Sequence, residues 1–130
     1  MIKKYLFALA FAVSLLGYAQ TAAAQNNVTA VVSNANNVEF KIERPLYKIM
    51  LSQHGLITGY IIKATGKVSF DTRGRLEQIG KVKVSYDLQN RLSEIGNDPI
   101  MYNLDGKVTS IGRTQITYTI HHDKIDTIQD

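Results

Sequence analysis

Between residues 81 and 87 the chain reads KVKVSYD, in which Val82, Val84 and Tyr86 alternate with Lys81, Lys83 and Ser85. A period of two is that of a strand with one buried and one solvated face, and it does not fit the 3.6-residue period of a helix. The pattern then returns. Phe70, Tyr86, Tyr102 and Tyr118 stand sixteen residues apart, and so do Val68, Val84, Ile100 and Ile116. Leu76, Leu92 and Val108 keep the spacing, as do Ile79, Ile95 and Ile111, each of which is followed by glycine. Self-similarity at a fixed period means that one supersecondary unit is used repeatedly.

Each unit reads as a hairpin. The segments DTRGR, DLQNR and NLDGK place Gly74, Asn90 and Gly106 at equivalent positions. Glycine and asparagine tolerate positive φ, which the last position of a three-residue hairpin loop ending in a bulge requires. Asp71, Asp87 and Asn103 open these loops, where a short side-chain oxygen accepts a backbone N–H. The return strands RLEQI and RLSEI end at Gly80 and Gly96, followed by Lys81 and Asn97; Gly112 and Arg113 are the third such pair. Glycine at the first loop position suits a two-residue type II′ turn into the next unit. The expected fold is therefore all-β: an antiparallel meander of hairpin repeats, forming either a curled sheet or a barrel-like roll.

The period reaches outward less regularly. SQHGL (52–56) has the polar opener and the glycine of a degenerate first unit, and TIHHDK (119–124) carries one extra residue in its turn. Pro45 and Pro99 are expected at strand starts, where a missing N–H does not interrupt a ladder. In each return strand the two aliphatic residues are three apart, as in Leu92 and Ile95, so a regular strand would point them to opposite faces. Either a bulge realigns them or the second face is partly covered.

The amino-terminal stretch has a different character. MIKKY is followed by the apolar run LFALAFAVSLLG and the small-residue exit TAAAQ, the pattern of a secretory signal peptide over residues 1–24. Cleavage after Ala24 fits best, with cleavage after Ala19 as the alternative. The Asn-rich segment 25–37 reads as a linker or an edge strand, and 38–130 as a single hairpin-repeat domain.

Loss of Lys3 and Lys4 lowers the formal charge of the 130-residue chain from +4 to +2, so its basicity is no argument for nucleic acid. The chain has no cysteine, so burial and sheet hydrogen bonding must supply its stability without disulfides. Strands of about six residues with lysine on their outward faces are too short and too polar for an outer-membrane barrel, which needs about ten. An exported periplasmic or extracellular product is expected, without integral membrane insertion of the mature chain.

FDTRGRLEQIG, YDLQNRLSEIG and YNLDGKVTSIG together resemble the YD repeats of Rhs-type bacterial secreted proteins: a Tyr-Asp pair, a turn with glycine, then arginine and an aliphatic residue. The resemblance covers roughly residues 68–130. It implies curled hairpin-repeat β-structure on an exported protein. The period is shorter than in the large YD proteins and the chain is too small to build their cargo shell, so toxin delivery is not implied.

Candidate chemistry is sparse. His121, His122 and Asp123 are neighbours in one turn, where adjacent side chains rarely converge on one ion, and His54 is the one other histidine. Asp71, Asp87, Asn103 and Asp105 read as turn caps rather than a calcium cluster. Ser69, Ser85, Ser93 and Ser110 lack a nucleophile elbow, and Glu77 and Glu94 are equivalent copies of one another. No metal or cofactor is expected. Phe70, Tyr86, Tyr102 and Tyr118 form an aromatic ladder that reads chiefly as core and secondarily as a platform for sugar or peptide. On the other face Lys67, Lys81, Lys83 and Arg113 form a possible binding surface for an anionic envelope polymer.

The expected function is a non-catalytic exported binding or structural module of the cell envelope or extracellular space. Its partner would be a protein or an envelope polysaccharide. The alternative is a small exported enzyme or enzyme inhibitor using the non-repetitive region 38–60.

Overall fold

The computed structural model describes residues 27–130. The expected signal peptide lies outside the described residues. Twelve strands and no helix are found among them, and every strand pairs antiparallel with its neighbours in sequence except β4 with β5. β1 (Asn27–Val32), β2 (Val38–Glu43), β3 (Tyr47–Ser52) and β4 (Ile57–Ile62) form a four-stranded sheet. The second sheet has eight strands in sequence order. They are β5 (Val68–Phe70), β6 (Leu76–Ile79), β7 (Val82–Tyr86), β8 (Leu92–Ile95), β9 (Asp98–Tyr102), β10 (Val108–Ile111), β11 (Thr114–Tyr118) and β12 (Ile125–Gln129). The meander is thus broken once, between β4 and β5, and makes two sheets rather than one closed barrel.

The two sheets share one core. The first contributes Ile42, Tyr47, Ile49 and Leu51; the second contributes Val82, Val84, Leu92, Ile95, Ile100, Val108, Ile111 and Ile116. Each fully buried aliphatic side chain is worth about 1.5–3 kcal/mol over leaving it in water.

A bulge in every return strand of the repeat resolves the three-residue spacing. Ser85 pairs with Glu94 but Tyr86 pairs with Leu92, which leaves Ser93 without an opposite residue. Glu77 is skipped in the same way between β5 and β6, Thr109 between β9 and β10, and Asp126 between β11 and β12. The extra residue resets the alternation, so Leu92 and Ile95 both reach the core, at 5% and 1% exposure. The four-stranded sheet has its own copy, since Thr58 is skipped between Gly59 and Ile57 opposite β3.

The turns fall where the period puts them. Asn90 and Gly106 have φ of 64° and 81°, and the carbonyls of Asp87 and Asn103 accept their N–H groups at 3.0 Å. The 52–56 turn repeats this arrangement around Gly55, so the degenerate first unit is a full hairpin in geometry. At the corners Gly80, Gly96 and Gly112 carry the positive φ alone, as a type II′ turn requires.

One expectation is corrected. Pro99 is the second residue of β9, but Pro45 does not start a strand. With Leu46 it forms the connection between β2 and β3, closed by a 2.8 Å bond from the Arg44 N–H to the Tyr47 carbonyl. Proline's fixed φ suits a turn, and no ladder partner there needs its missing N–H. In the Asn-rich segment, β1 is an edge strand with all six residues exposed.

Candidate functional site

The repeat has its own polar chemistry, and this must be separated from anything that could face a ligand. In the second unit Asp87 Oδ1 accepts the N–H groups of Gln89 and Arg91, both at 2.9 Å, while Oδ2 accepts from Arg91 Nε at 2.8 Å. Asp71 holds Arg73 and Arg75 in the same way, and Asn103 holds Asp105 and Lys107 through their N–H groups alone. The backbone and side-chain donors lower the pKa of Asp71 and Asp87 below the ordinary carboxylate value, against the opposing effect of burial.

The anchored cation then lies over the tyrosine of the next unit. Arg75 stands 4.4 Å from the ring centre of Tyr86, Arg91 stands 4.1 Å from that of Tyr102, and Lys107 stands 5.0 Å from that of Tyr118. Each phenol donates back to a carbonyl of the preceding return strand: Tyr86 to Leu76 at 2.9 Å, Tyr102 to Leu92 at 2.6 Å, and Tyr118 to Val108. Burial raises the phenol pKa values, those of Tyr102 and Tyr118 to about 12. The tyrosines couple neighbouring hairpins from within the molecule.

Phe70 stands apart from the ladder predicted for it. It lies on the edge strand β5, is 61% exposed, and has no hydroxyl to reach a preceding unit. The remaining members, Tyr86, Tyr102 and Tyr118, pack partly buried against the core.

The cations also tie the turns into a row, and here the repeat is broken. Arg75 Nη1 donates to Asn90 Oδ1 at 2.7 Å, and Lys107 Nζ donates to the Asp123 carbonyl at 2.7 Å. Arg91 should make the equivalent bond to residue 106, but that residue is glycine and offers no side chain. Among the described residues the terminal nitrogens of Arg91 therefore have no hydrogen-bond partner. They border an open groove of about 430 Å³ between the two sheets, whose lining includes Leu56, Ile57 and Tyr60 from the first sheet and Tyr86, Asn90, Arg91, Leu92, Tyr102 and Gly106 from the repeats. The Tyr60 and Tyr86 hydroxyls bond to each other across the sheet interface at this groove.

The basic residues proposed from the sequence do not meet at one place. Lys67 and Lys81 lie together at a corner, where the Lys67 carbonyl accepts the Gly80 N–H at 3.0 Å. Lys83 projects from β7 opposite Gln78. Arg113 occupies the corresponding corner two units further on, four strand spacings or about 19 Å away. It borders a recess with Arg44, Pro45, Asp98 and Asp130, where Arg44 is paired with Asp130 at 2.8 Å. All four of these basic residues are exposed.

His121 and His122 are exposed in the last turn, while His54 Nδ1 lies 3.1 Å from the Asp123 carbonyl. No group of three His, Asp or Glu residues is placed to hold a metal ion among the described residues. Among the described residues no helix is long and apolar enough to cross a membrane.

Sequence reasoning missed the groove. Tyr60, Leu56 and Ile57 belong to the first hairpin, whose distance from the groove-forming repeats along the chain hides their proximity. A signal was nevertheless present: Asn90 and Gly106 are equivalent positions with unequal side chains, so Arg75 and Arg91 cannot have the same partner. No protein-family model matches the chain, and neither a curated protein nor a solved structure is found to be similar to it.

Proposed function

We propose that the protein is a non-catalytic exported binding module of the cell envelope or extracellular space, and that the groove beside Arg91 is its recognition site for an acidic envelope polysaccharide. The observation that carries this reading is that Arg91, held by Asp87 through Nε, has no hydrogen-bond partner for its two terminal nitrogens among the described residues. The equivalent cations Arg75 and Lys107 place their terminal nitrogens on Asn90 and Asp123, whereas Arg91 keeps planar, charged donors beside a cleft walled by tyrosine, leucine and isoleucine. A guanidinium matches the paired oxygens of a uronate or similar carboxylate, and flanking aromatic and apolar walls suit the faces of sugar rings. The exposure of Glu77 and Glu94 on return strands and the repeat positions of Ser85 and Ser93 support the non-catalytic reading. Export rests on the signal-peptide pattern of residues 1–24, and kinship with YD repeats on the Tyr–Asp–Arg arrangement.

The test uses the ladder's own logic. Gly106→Asn restores the side chain that Arg75 finds at Asn90, and asparagine accepts positive φ at that equivalent position. The variant should keep its stability and give Arg91 an internal partner. Titration with polyuronate followed by amide shifts should move Arg91, Gly106 and Tyr60 in the natural protein, and Gly106→Asn should weaken binding about tenfold or more. Shifts confined to Lys67, Lys81 and Lys83, or equal affinity in the variant, would refute the groove as the site.

A further inference from the structure

Among the described residues the two sheets have four edge strands, and three of them are protected against pairing with another chain. β5 is only three residues long, β4 carries Gly59 and the Thr58 bulge, and β12 carries Asp126 at its own bulge. Short strands, bulges and charges are the usual means of blunting an edge. β1 has none of them. Its sequence NVTAVV is free of charge, proline and glycine, and it pairs with β2 over six consecutive residues without a shift.

β1 also overhangs the core. Val28, Ala30 and Val32 lie opposite Ile42, Phe40 and Val38, so they continue the inner face of the four-stranded sheet. Ile42 is fully buried, but Val28 and Val32 are 41% and 61% exposed. The apolar face therefore runs one strand beyond the eight-stranded sheet that covers it.

We infer that β1 is the contact through which two copies of this chain associate, pairing antiparallel about a twofold axis at Ala30. A twofold axis perpendicular to a sheet places each residue opposite one of its own face, and an isologous contact must be self-complementary. The segment VTAVV meets that condition because it is nearly palindromic about Ala30. Val28 lies opposite the partner's Val32, Thr29 opposite the partner's Val31, and Ala30 opposite the partner's Ala30. The two valine overhangs then fall side by side on one face, and the small residue sits on the axis. With no charge in the strand, nothing repels the second copy or selects an oppositely charged partner. The two four-stranded sheets become one continuous sheet of eight strands.

The absence of cysteine makes the register directly testable. In Ala30→Cys the paired Cα atoms would stand about 4.5–5.5 Å apart, within the range a disulfide spans. In Val32→Cys the two thiols would be four residues out of register, about 13 Å apart along the strand. Under mild oxidation of the protein purified after export, Ala30→Cys should form covalent dimers at least tenfold faster than Val32→Cys. Sedimentation velocity should show a concentration-dependent dimer for the natural protein and a monomer for Ala30→Lys, whose side chain would meet its own charge on the axis. Circular dichroism would verify that the exposed substitution leaves the fold intact. A natural protein that stays monomeric at every concentration, a dimer that persists in Ala30→Lys, or equally rapid cross-linking of both cysteine variants would overturn the proposal.

Discussion

Asp71 and Asp87 each close a hairpin loop with one carboxylate, accepting two backbone N–H groups and a guanidinium while the rest of the loop stays in water. Because donors favour the charged form, the folded pKa of each lies below its unfolded value of about 3.9. Their contribution to stability is then fully present above that unfolded value and is lost as the pH falls through the folded pKa. Carbon-detected NMR titration should find both carboxyl groups titrating below the ordinary aspartate value. Ordinary midpoints would mean that the loops are not closed in this way. The role of aspartate as loop opener was legible from DTRGR and DLQNR. The position of the arginine over the next tyrosine was not, because that contact crosses from one unit to another and sequence spacing alone gives no direction to a long side chain.

At the level of the hairpin, the sixteen-residue period located the turns and left the return strand open between a bulge and a covered second face. The bulge at Glu77, Ser93, Thr109 and Asp126 decides it, and those four residues share only a polarity that any outward strand position also has. The first unit was harder to recognise because serine replaces aspartate and three extra residues separate it from the second. Two glycines test the turn geometry. Gly55 and Gly74 have φ of 82° and 79°, so an added Cβ imposes similar backbone strain of about 1–2 kcal/mol at each. At Gly74 that Cβ meets nothing within 4 Å, whereas at Gly55 it overlaps the Tyr118 phenol and displaces it from the Val108 carbonyl. Denaturant melts should therefore show Gly55→Ala weaker than Gly74→Ala by at least about 1 kcal/mol, the worth of the lost hydrogen bond. Equal losses would show that the first hairpin does not press on Tyr118.

For the whole molecule, all-β architecture was legible because alternation and turn chemistry are local, whereas the choice between a roll and two sheets depends on contacts between distant segments. Tyr47 donates to Asp98 across the interface at 2.8 Å, fifty-one residues away in sequence. At the other end the first turn clamps the last two units: Val108 donates to the Gly55 carbonyl at 3.0 Å and Ile125 to the Gln53 carbonyl at 2.8 Å. The first hairpin thus lies across the repeats that follow it, which distinguishes this fold from an open array in which each repeat touches only its neighbours. Groove and core both follow from that closure, since Leu56, Ile57 and Tyr60 reach the repeats only if the clamp holds. Native-state hydrogen exchange at the Val108 and Ile125 amides tests it most directly. Closure predicts that both exchange only through global unfolding, at the same free energy as the central amides of β9 and β10. Exchange of these two amides at the rate of solvent-exposed turn amides, with β9 and β10 still protected, would contradict it.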